Sequence, residues 1–207
     1  RDTDISRPYP FYLAYPLDKE PEELGAIEDW QAEWKWDGIR AQVIKREDRM
    51  FIWSRGEELV TDKFPEIVQA AEKLPNGTAL DGEILAWQNE RPLNFSELQR
   101  RIGRKNIGPK LLNEVPVILM AYDILEVDGN DIRERTLKQR FEALTQTLAA
   151  LPKERILNIS PVTTGSWQQL AEAREQARSR GVEGLMLKRL SSPYRVGRRR
   201  GDWWKWK

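Results

Sequence analysis

Apolar and polar residues alternate along this chain with two different periods, and the switches between them predict its elements. Trp30 to Lys35 and Ile39 to Lys45 alternate as strands do, on either side of Asp37-Gly38, a dipeptide favoured in hairpin turns; Met50 to Ser54 extends the meander. From Phe64 the period lengthens. Ile67, Ala70, Ala71 and Leu74 fall at helical spacing, with Pro65 in the first turn. Leu80 to Trp87 predicts another strand, Asn94 to Leu98 opens a short helix that becomes basic, and Val115 to Val127 is an apolar run long enough for a central strand. Leu137, Phe141, Leu144 and Leu148 form one stripe on a helix from about Thr136. Trp167, Leu170, Ala173 and Ala177 mark a further helix that Gly181 stops. Leu185 to Leu187 predicts a strand, Ser191-Ser192-Pro193 a loop, and the closing run Asp202 to Lys207 a strand. The prolines at 8, 10, 16 and 21 make the opening an extended lead-in. Strands and helices mix without regular βαβ alternation, so the expected class is α+β with antiparallel sheets. No repeat, low-complexity tract or clear interdomain linker interrupts it.

Composition narrows the chemistry. A chain of 207 residues fits one large domain or two small lobes, and 34 Lys+Arg against 33 Asp+Glu leave a net charge of +1. The sequence has no histidine and no cysteine. Ser-His-Asp hydrolysis, HExxH metalloprotease chemistry, thiolate nucleophiles, zinc ribbons and disulfides are thereby excluded from it. Carboxylates, lysine, arginine, tyrosine and hydroxyls remain, and these suit phosphoryl and nucleotidyl transfer with magnesium. No stretch approaches the roughly 18 apolar residues of a membrane span. Arg1-Asp2-Thr3-Asp4 has neither an initiator methionine nor a signal-peptide core, and Asp202 to Lys207 ends on a strand pattern with no polar tail. The expectation is a soluble fragment bounded at both ends.

The strongest local signal is Glu33-Trp34-Lys35-Trp36-Asp37-Gly38-Ile39-Arg40. A lysine at a strand end between two tryptophans is a candidate for a desolvated amine, and a neutral amine is a nucleophile where an ammonium is not. The same octapeptide also fits a strand-end lysine whose stem covers tryptophan faces. Further segments follow in order: Ser54-Arg55-Gly56, Leu80-Asp81-Gly82-Glu83-Ile84, Ala121-Tyr122-Asp123-Ile124-Leu125, Glu183-Gly184-Leu185-Met186-Leu187-Lys188, and Trp203-Trp204-Lys205-Trp206-Lys207. Taken singly, Asp81-Gly82 fits a hairpin turn, Tyr122 a core position, Glu183 the residue before a glycine turn, and the last segment a half-exposed strand.

Together, from about Pro16 to Lys207, these motifs resemble the catalytic core of the ATP-dependent DNA ligases, within the covalent nucleotidyltransferases that include RNA ligases and mRNA capping enzymes. The resemblance implies an ATP-grasp-like nucleotidyltransferase fold, with antiparallel sheets flanked by helices and a nucleotide cleft between them. It makes residues 1–207 an adenylation domain, with a C-terminal OB-fold domain and any N-terminal DNA-binding domain outside this chain. It makes Lys35 the nucleophile that attacks the α-phosphate of ATP and becomes lysyl-AMP. Glu33 would help read adenine and Tyr122 would stack on it, while Arg40 and Arg55 would contact the sugar and phosphate side. Glu83 and Glu183 would serve the ribose and a divalent metal, Mg2+ or Mn2+. Lys205 and Lys207 would hold the α-phosphate, and Lys188 belongs to the same nucleotide-binding set. Lysines beside a phosphate offset the charge that develops in transfer, and hard glutamate oxygens suit magnesium.

Local basic clusters suit a polynucleotide backbone despite the balanced total charge. Arg100, Arg101, Arg104, Lys105 and Lys110 form one, and Arg195, Arg198, Arg199 and Arg200 another. Phe95 to Lys105 resembles a stretch of DNA ligases that touches the nicked strand, which nominates Arg101, Arg104 and Lys105; a solvated helix face is the alternative. The resemblance thus implies a monomeric bacterial enzyme of the cytoplasm and nucleoid, acting on nicked double-stranded DNA in replication, repair or recombination. RNA ligases and GTP-using capping enzymes share Lys-x-Asp-Gly, and a non-catalytic nucleic-acid-binding relic of the fold is the rival from another class.

Overall fold

The computed structural model describes residues 5–152 and 156–207, so the opening Arg1 to Asp4 lies outside the described residues. In chain order the strands are β1 (Tyr12–Leu13), β2 (Tyr15–Pro16), β3 (Trp30–Trp34), β4 (Ile39–Arg46), β5 (Arg49–Ser54), β6 (Thr78–Gln88), β7 (Arg91–Pro92), β8 (Val117–Val127), β9 (Asn130–Asp131), β10 (Leu157–Asn158), β11 (Pro161–Val162), β12 (Leu185–Arg189), β13 (Gly197–Arg198) and β14 (Trp203–Trp206). The α-helices are α1 (Pro65–Ala71), α2 (Phe95–Ile102), α3 (Pro109–Glu114), α4 (Leu137–Ala149), α5 (Trp167–Glu175) and α6 (Ala177–Arg180). The α+β class expected from the mixed periods is what forms. The chain divides into two compact units, one of Arg1–Tyr9, Gly38–Ile132 and Arg140–Ile159, the other of Pro10–Asp37, Arg133–Gln139 and Ser160–Lys207.

The first unit is built on the sheet order β10-β8-β6-β4-β5, with β7 on β6 and β9 on β8. Its long pairs, β4 with β5, β4 with β6 and β6 with β8, are antiparallel; only the two-residue β10 joins β8 in parallel. Side chains alternate across each strand. Ala41, Val43, Leu80, Ile84, Leu119 and Ala121 form one apolar core with Ile67 and Ala71 of α1, Leu98 of α2 and Leu144 of α4. The intervening residues include Gln42, Asp81 and Asp123, which are fully buried yet polar. Such groups persist inside only when their hydrogen bonds are supplied. Arg140 Nε and Nη2 supply them to Asp123 at 2.8 and 3.0 Å, and Gln42 Oε1 accepts from the Tyr9 amide at 2.9 Å.

The second unit carries the sheet order β11-β3-β12-β14-β2 and the small parallel pair β1-β13. Its register sets Glu33 opposite Met186, Met186 opposite Lys205, and Lys188 opposite Trp203. One face therefore carries Gln31, Glu33, Met186, Lys188, Trp203 and Lys205, and the other carries Trp30, Ala32, Trp34, Leu185, Leu187, Trp204 and Trp206. Tryptophans are paired with cations from the helices: Arg174 lies 4.4 Å from the Trp206 ring centre and Arg180 4.9 Å from that of Trp34.

Two expectations change. Asp37-Gly38 is not a hairpin turn, because β3 and β4 belong to different sheets. Gly38 lacks the positive φ that a two-residue hairpin needs, and it is glycine for another reason: a Cβ there would lie 2.2 Å from the Ile84 carbonyl oxygen. Asp81-Gly82 lies inside β6, as the strand expected from Leu80 to Trp87 requires, and is no turn. The helix expected from Trp167 to Gly181 divides at Gln176 into α5 and α6; Ser166 caps the first and Gly181, at φ +73°, ends the second.

Candidate nucleotidyltransfer residues

In the second unit three strand ends converge on Lys35. The Lys35 amide donates to the Gly184 carbonyl at 2.9 Å, and the Glu183 amide donates to the Lys35 carbonyl at 2.8 Å, so the β3-β12 ladder runs on past both strands. Lys35 Nζ lies 3.3 Å from Glu183 Oε2, and Lys207 Nζ lies 3.6 Å from the same oxygen. The Asp37 carboxyl joins them. Burial pushes its pKa up, the charge of Glu183 and a hydrogen bond to it add to the shift, and Lys35 and Lys207 oppose it. Two carboxylates and two lysines thus form one charge cluster, reachable by solvent because the Lys35 side chain is 20% exposed.

The tryptophans beside Lys35 fix the backbone. Both are buried; Trp34 lies beneath Arg180, and Trp36 Nε1 donates to Ser160 Oγ at 3.0 Å. Gly184 permits the convergence, since at φ +127° it occupies a region other residues avoid and an added Cβ would meet the Trp206 carbonyl oxygen at 2.4 Å. Backbone cannot move aside as a flexible side chain can. Gly184→Ala is expected to displace Glu183 from Lys35 and to lose about 1–3 kcal/mol from the dihedral alone. A thermal melt together with a lysyl-AMP formation rate tests this, the expected rate loss being on the order of 100-fold for a misplacement near 1 Å.

Further along the same face, Lys188 Nζ pairs with Glu33 Oε1 at 2.7 Å, and Gln31 Nε2 donates to Glu33 Oε2 at 2.7 Å. Lys188 also sits 4.1 Å from the Trp203 ring centre. Both partners are almost wholly buried, so each compensates the desolvated charge of the other. Lys205 shares the face through its register with Met186.

The first unit holds the rest of the expected set. Arg40 Nε and Nη2 grip Asp81 at 2.7 and 2.6 Å in a bidentate pair, and the guanidinium lies 6.0 Å from the Tyr122 ring centre. Glu83 accepts from the Gly38 amide at 3.2 Å and from the Tyr122 hydroxyl at 3.0 Å, so both its oxygens are engaged. Tyr122 is the extra residue of a β-bulge, since Gly82 pairs with Ala121 and Asp81 with Asp123. That bulge turns its hydroxyl to Glu83. Arg55 follows β5 with an exposed side chain, its amide bonded to the Arg40 carbonyl at 3.0 Å.

Arg101 corrects an expectation. It is fully buried in α2, where Nη1 and Nη2 donate to Glu66 at 3.0 and 2.6 Å, to the Val115 carbonyl at 2.7 Å and to the Lys63 carbonyl at 2.8 Å. A guanidinium with those partners is a core strut and reaches no polynucleotide. Arg104 and Lys105 are exposed. Sequence reasoning did not single out Asp37 and Asp81, which the structure sets beside Lys35 and Glu183 and against Arg40 respectively. Their signal was present: Asp81 lies two residues before Glu83 on one strand face, and Asp37 two after Lys35.

The sequence matches the family described as ATP dependent DNA ligase domain over residues 12–207. A probable DNA ligase of Koribacter versatilis is 35% identical over 98% of this chain and 39% of that protein, and a DNA ligase of Archaeoglobus fulgidus 36% identical over 84% and 31%. The chain thus spans about two-fifths or less of the length of these curated relatives. A solved mycobacterial DNA ligase D complexed with ATP and MES superposes with a TM-score of 0.73 at 27% identity, covering 96% of this chain and 60% of that one. The Chlorella virus DNA ligase-adenylate shares the fold, with a TM-score of 0.70 at 20% identity over 96% of this chain and 69% of that one. Six motifs in order, and a family match over nearly the whole length, lead to one conclusion: this chain belongs to the ATP-dependent DNA ligase domain family.

Proposed function

We propose that this chain is the adenylation part of an ATP-dependent DNA ligase of the bacterial cytoplasm and nucleoid, acting as a monomer on nicked double-stranded DNA, with an OB-fold domain completing the full-length enzyme. The observation that carries the reading is the Lys35 amine 3.3 Å from Glu183, with Lys207 at the same carboxylate. In the first step neutral Lys35 Nζ attacks the α-phosphorus of ATP. A P–N bond forms, the bond to the bridging oxygen breaks, and pyrophosphate leaves with the electron pair. Glu183 is the nearest carboxylate to take the ammonium proton. Lys205 and Lys207 offset the charge on the α-phosphate. AMP then passes from Lys35 to the 5′-phosphate at a nick, and the 3′-hydroxyl displaces it to form the phosphodiester.

Glu33 and Lys188, already paired, offer an acceptor and a donor for the base edge. Tyr122 offers a ring face for the base, Glu83 an acceptor for the ribose, and Arg40 and Arg55 cations for the sugar and phosphate side. A divalent metal fits Asp37 and Glu183: burial first, and then the charge of Glu183, pushes the Asp37 pKa up, and a bound cation offsets both. Among the described residues no group of three acidic side chains could hold the ion alone, so phosphate oxygens and water complete a shell of the kind magnesium prefers. Bound there, Mg2+ or Mn2+ supplies Lewis-acid polarisation of the phosphate. Glu83, whose two oxygens accept from the Gly38 amide and the Tyr122 hydroxyl, shares the metal and ribose roles with Glu183, since a carboxylate oxygen that accepts one hydrogen bond keeps a second lone pair.

Incubation with ATP and magnesium tests the reading. The expected result is an intact-mass increase of one AMP with pyrophosphate released in equal amount. An adduct with GTP in preference to ATP supports a capping-type enzyme, and no adduct with either supports a non-catalytic relic.

A further inference from the structure

Gln31 lies outside every motif of the sequence, yet it holds a residue that belongs to one. On the face of β3 that it shares with Glu33, its Nε2 donates to Glu33 Oε2 at 2.7 Å. Lys188, directly opposite Gln31 on β12, meets Glu33 Oε1 at 2.7 Å as an ion pair, at an angle that leaves this oxygen without an aligned hydrogen bond among the described residues. The carboxylate is therefore asymmetric. Oε2 is committed to an amide, while Oε1 is a buried acceptor with lone-pair capacity for a further N–H.

Lys188 cannot follow a movement of its partner. It is buried, its Nζ lies 4.1 Å from the Trp203 ring centre, and Trp203 in turn stacks on Tyr12 at 4.1 Å. Glu33 can turn, because a glutamate rotates about several side-chain bonds, and without Gln31 the ammonium of Lys188 would draw both of its oxygens. Gln31 thus decides which oxygen stays open.

We infer that Gln31 is a positioning residue for the choice of nucleotide: by fixing the Glu33 carboxylate it favours a purine with an amino group at C6 over one with an oxo group there. The inference rests on the reading above that Glu33 offers an acceptor to the base edge. An ionised carboxylate only accepts, so it takes an N–H from a 6-amino purine and sets oxygen against oxygen with a 6-oxo purine. A site that hydrogen-bonds a polar group of its ligand rejects the analogue without that group far more strongly than an apolar pocket does. It does so only while the bonding side chain is held in place.

Adduct formation by the whole chain with magnesium, followed by intact mass at varied nucleotide concentration, tests this. Three nucleotides are compared: ATP, purine riboside triphosphate, which carries hydrogen at C6, and inosine triphosphate, which carries oxygen there. With the parent, ATP should reach its half-maximal rate at the lowest concentration. Q31M keeps the length of the side chain and removes the donor. It should raise that concentration about 10- to 100-fold for ATP, the scale of one hydrogen bond to a charged group, and less than about threefold for purine riboside triphosphate. Q31L should do the same. Because the nucleotides are compared on one protein, a loss of stability alone would weaken all three alike. An equal rise for all three, or a parental preference for ATP in either variant, overturns the inference. A parent that takes ATP and inosine triphosphate equally well overturns it together with the role of Glu33. A parent that forms no adduct with any of the three overturns the adenylation reading and this inference with it.

Discussion

Lys35→Ala abolishes covalent attachment of AMP, and Lys35→Arg abolishes it equally. The alanine variant has no amine at the end of β3, and the arginine variant keeps a guanidinium that stays protonated and cannot attack phosphorus. The neighbouring lysines do not substitute. Lys188 is buried against Glu33, and Lys207, 60% exposed and 3.6 Å from the shared Glu183 oxygen, lacks the backbone ladder that fixes Lys35. Covalent catalysis requires its nucleophile in line with the leaving group, so the loss should reach the detection limit and exceed the effect of any binding residue. Intact mass after incubation with ATP and magnesium measures it. An adduct forming in either variant near the parental rate removes Lys35 from the mechanism.

Arg101→Ala is expected to unfold the first unit under conditions in which the parent is stable. The substitution strips two hydrogen bonds from the partly exposed Glu66 and one each from the carbonyls of Val115 and Lys63, and it empties the fully buried site of the guanidinium. Breaking a buried pair from one side costs about 3–5 kcal/mol. For a chain of this size that is a fall of roughly 6–20 °C in Tm. The salt slope of DNA binding, measured on whatever fraction stays folded, should match the parent's. Arg104→Ala with Lys105→Ala should do the reverse, leaving Tm in place and flattening the slope. A normal melt for Arg101→Ala with a flattened slope would return that arginine to the polynucleotide surface.

The contrast between these arginines shows what a one-dimensional pattern carries. Strand and helix periods placed every long element, because burial on one face repeats every two residues in a strand and roughly every 3.6 in a helix. The same arithmetic could have placed Arg101 inside: it falls three residues after Leu98, on the buried face of α2. Its partner could not be read, since Glu66 lies 35 positions earlier and belongs to another helix. The separation is 148 positions for Lys35 and Glu183, and only the register of β3 against β12 brings them together. The motif order identified the candidate residues without that register. What it could not supply was commitment: Arg40 held by Asp81, Glu83 by Tyr122 and Gly38, Glu33 by Lys188. Gly38 was misread for a related reason: it marks close backbone approach to β6 instead of a turn, and no sequence window shows what stands opposite.

One pulse-chase measurement tests the central claim most directly. The chain is labelled with AMP in the presence of magnesium, freed of ATP and pyrophosphate, and its label mapped by peptide analysis; it is then mixed with nicked duplex. The account predicts label on Lys35 alone, through a phosphoramidate that is labile to acid and stable to alkali, and its transfer to the 5′-phosphate of the nick. Label on another residue, or on Lys35 but never passed to the nick, would contradict it.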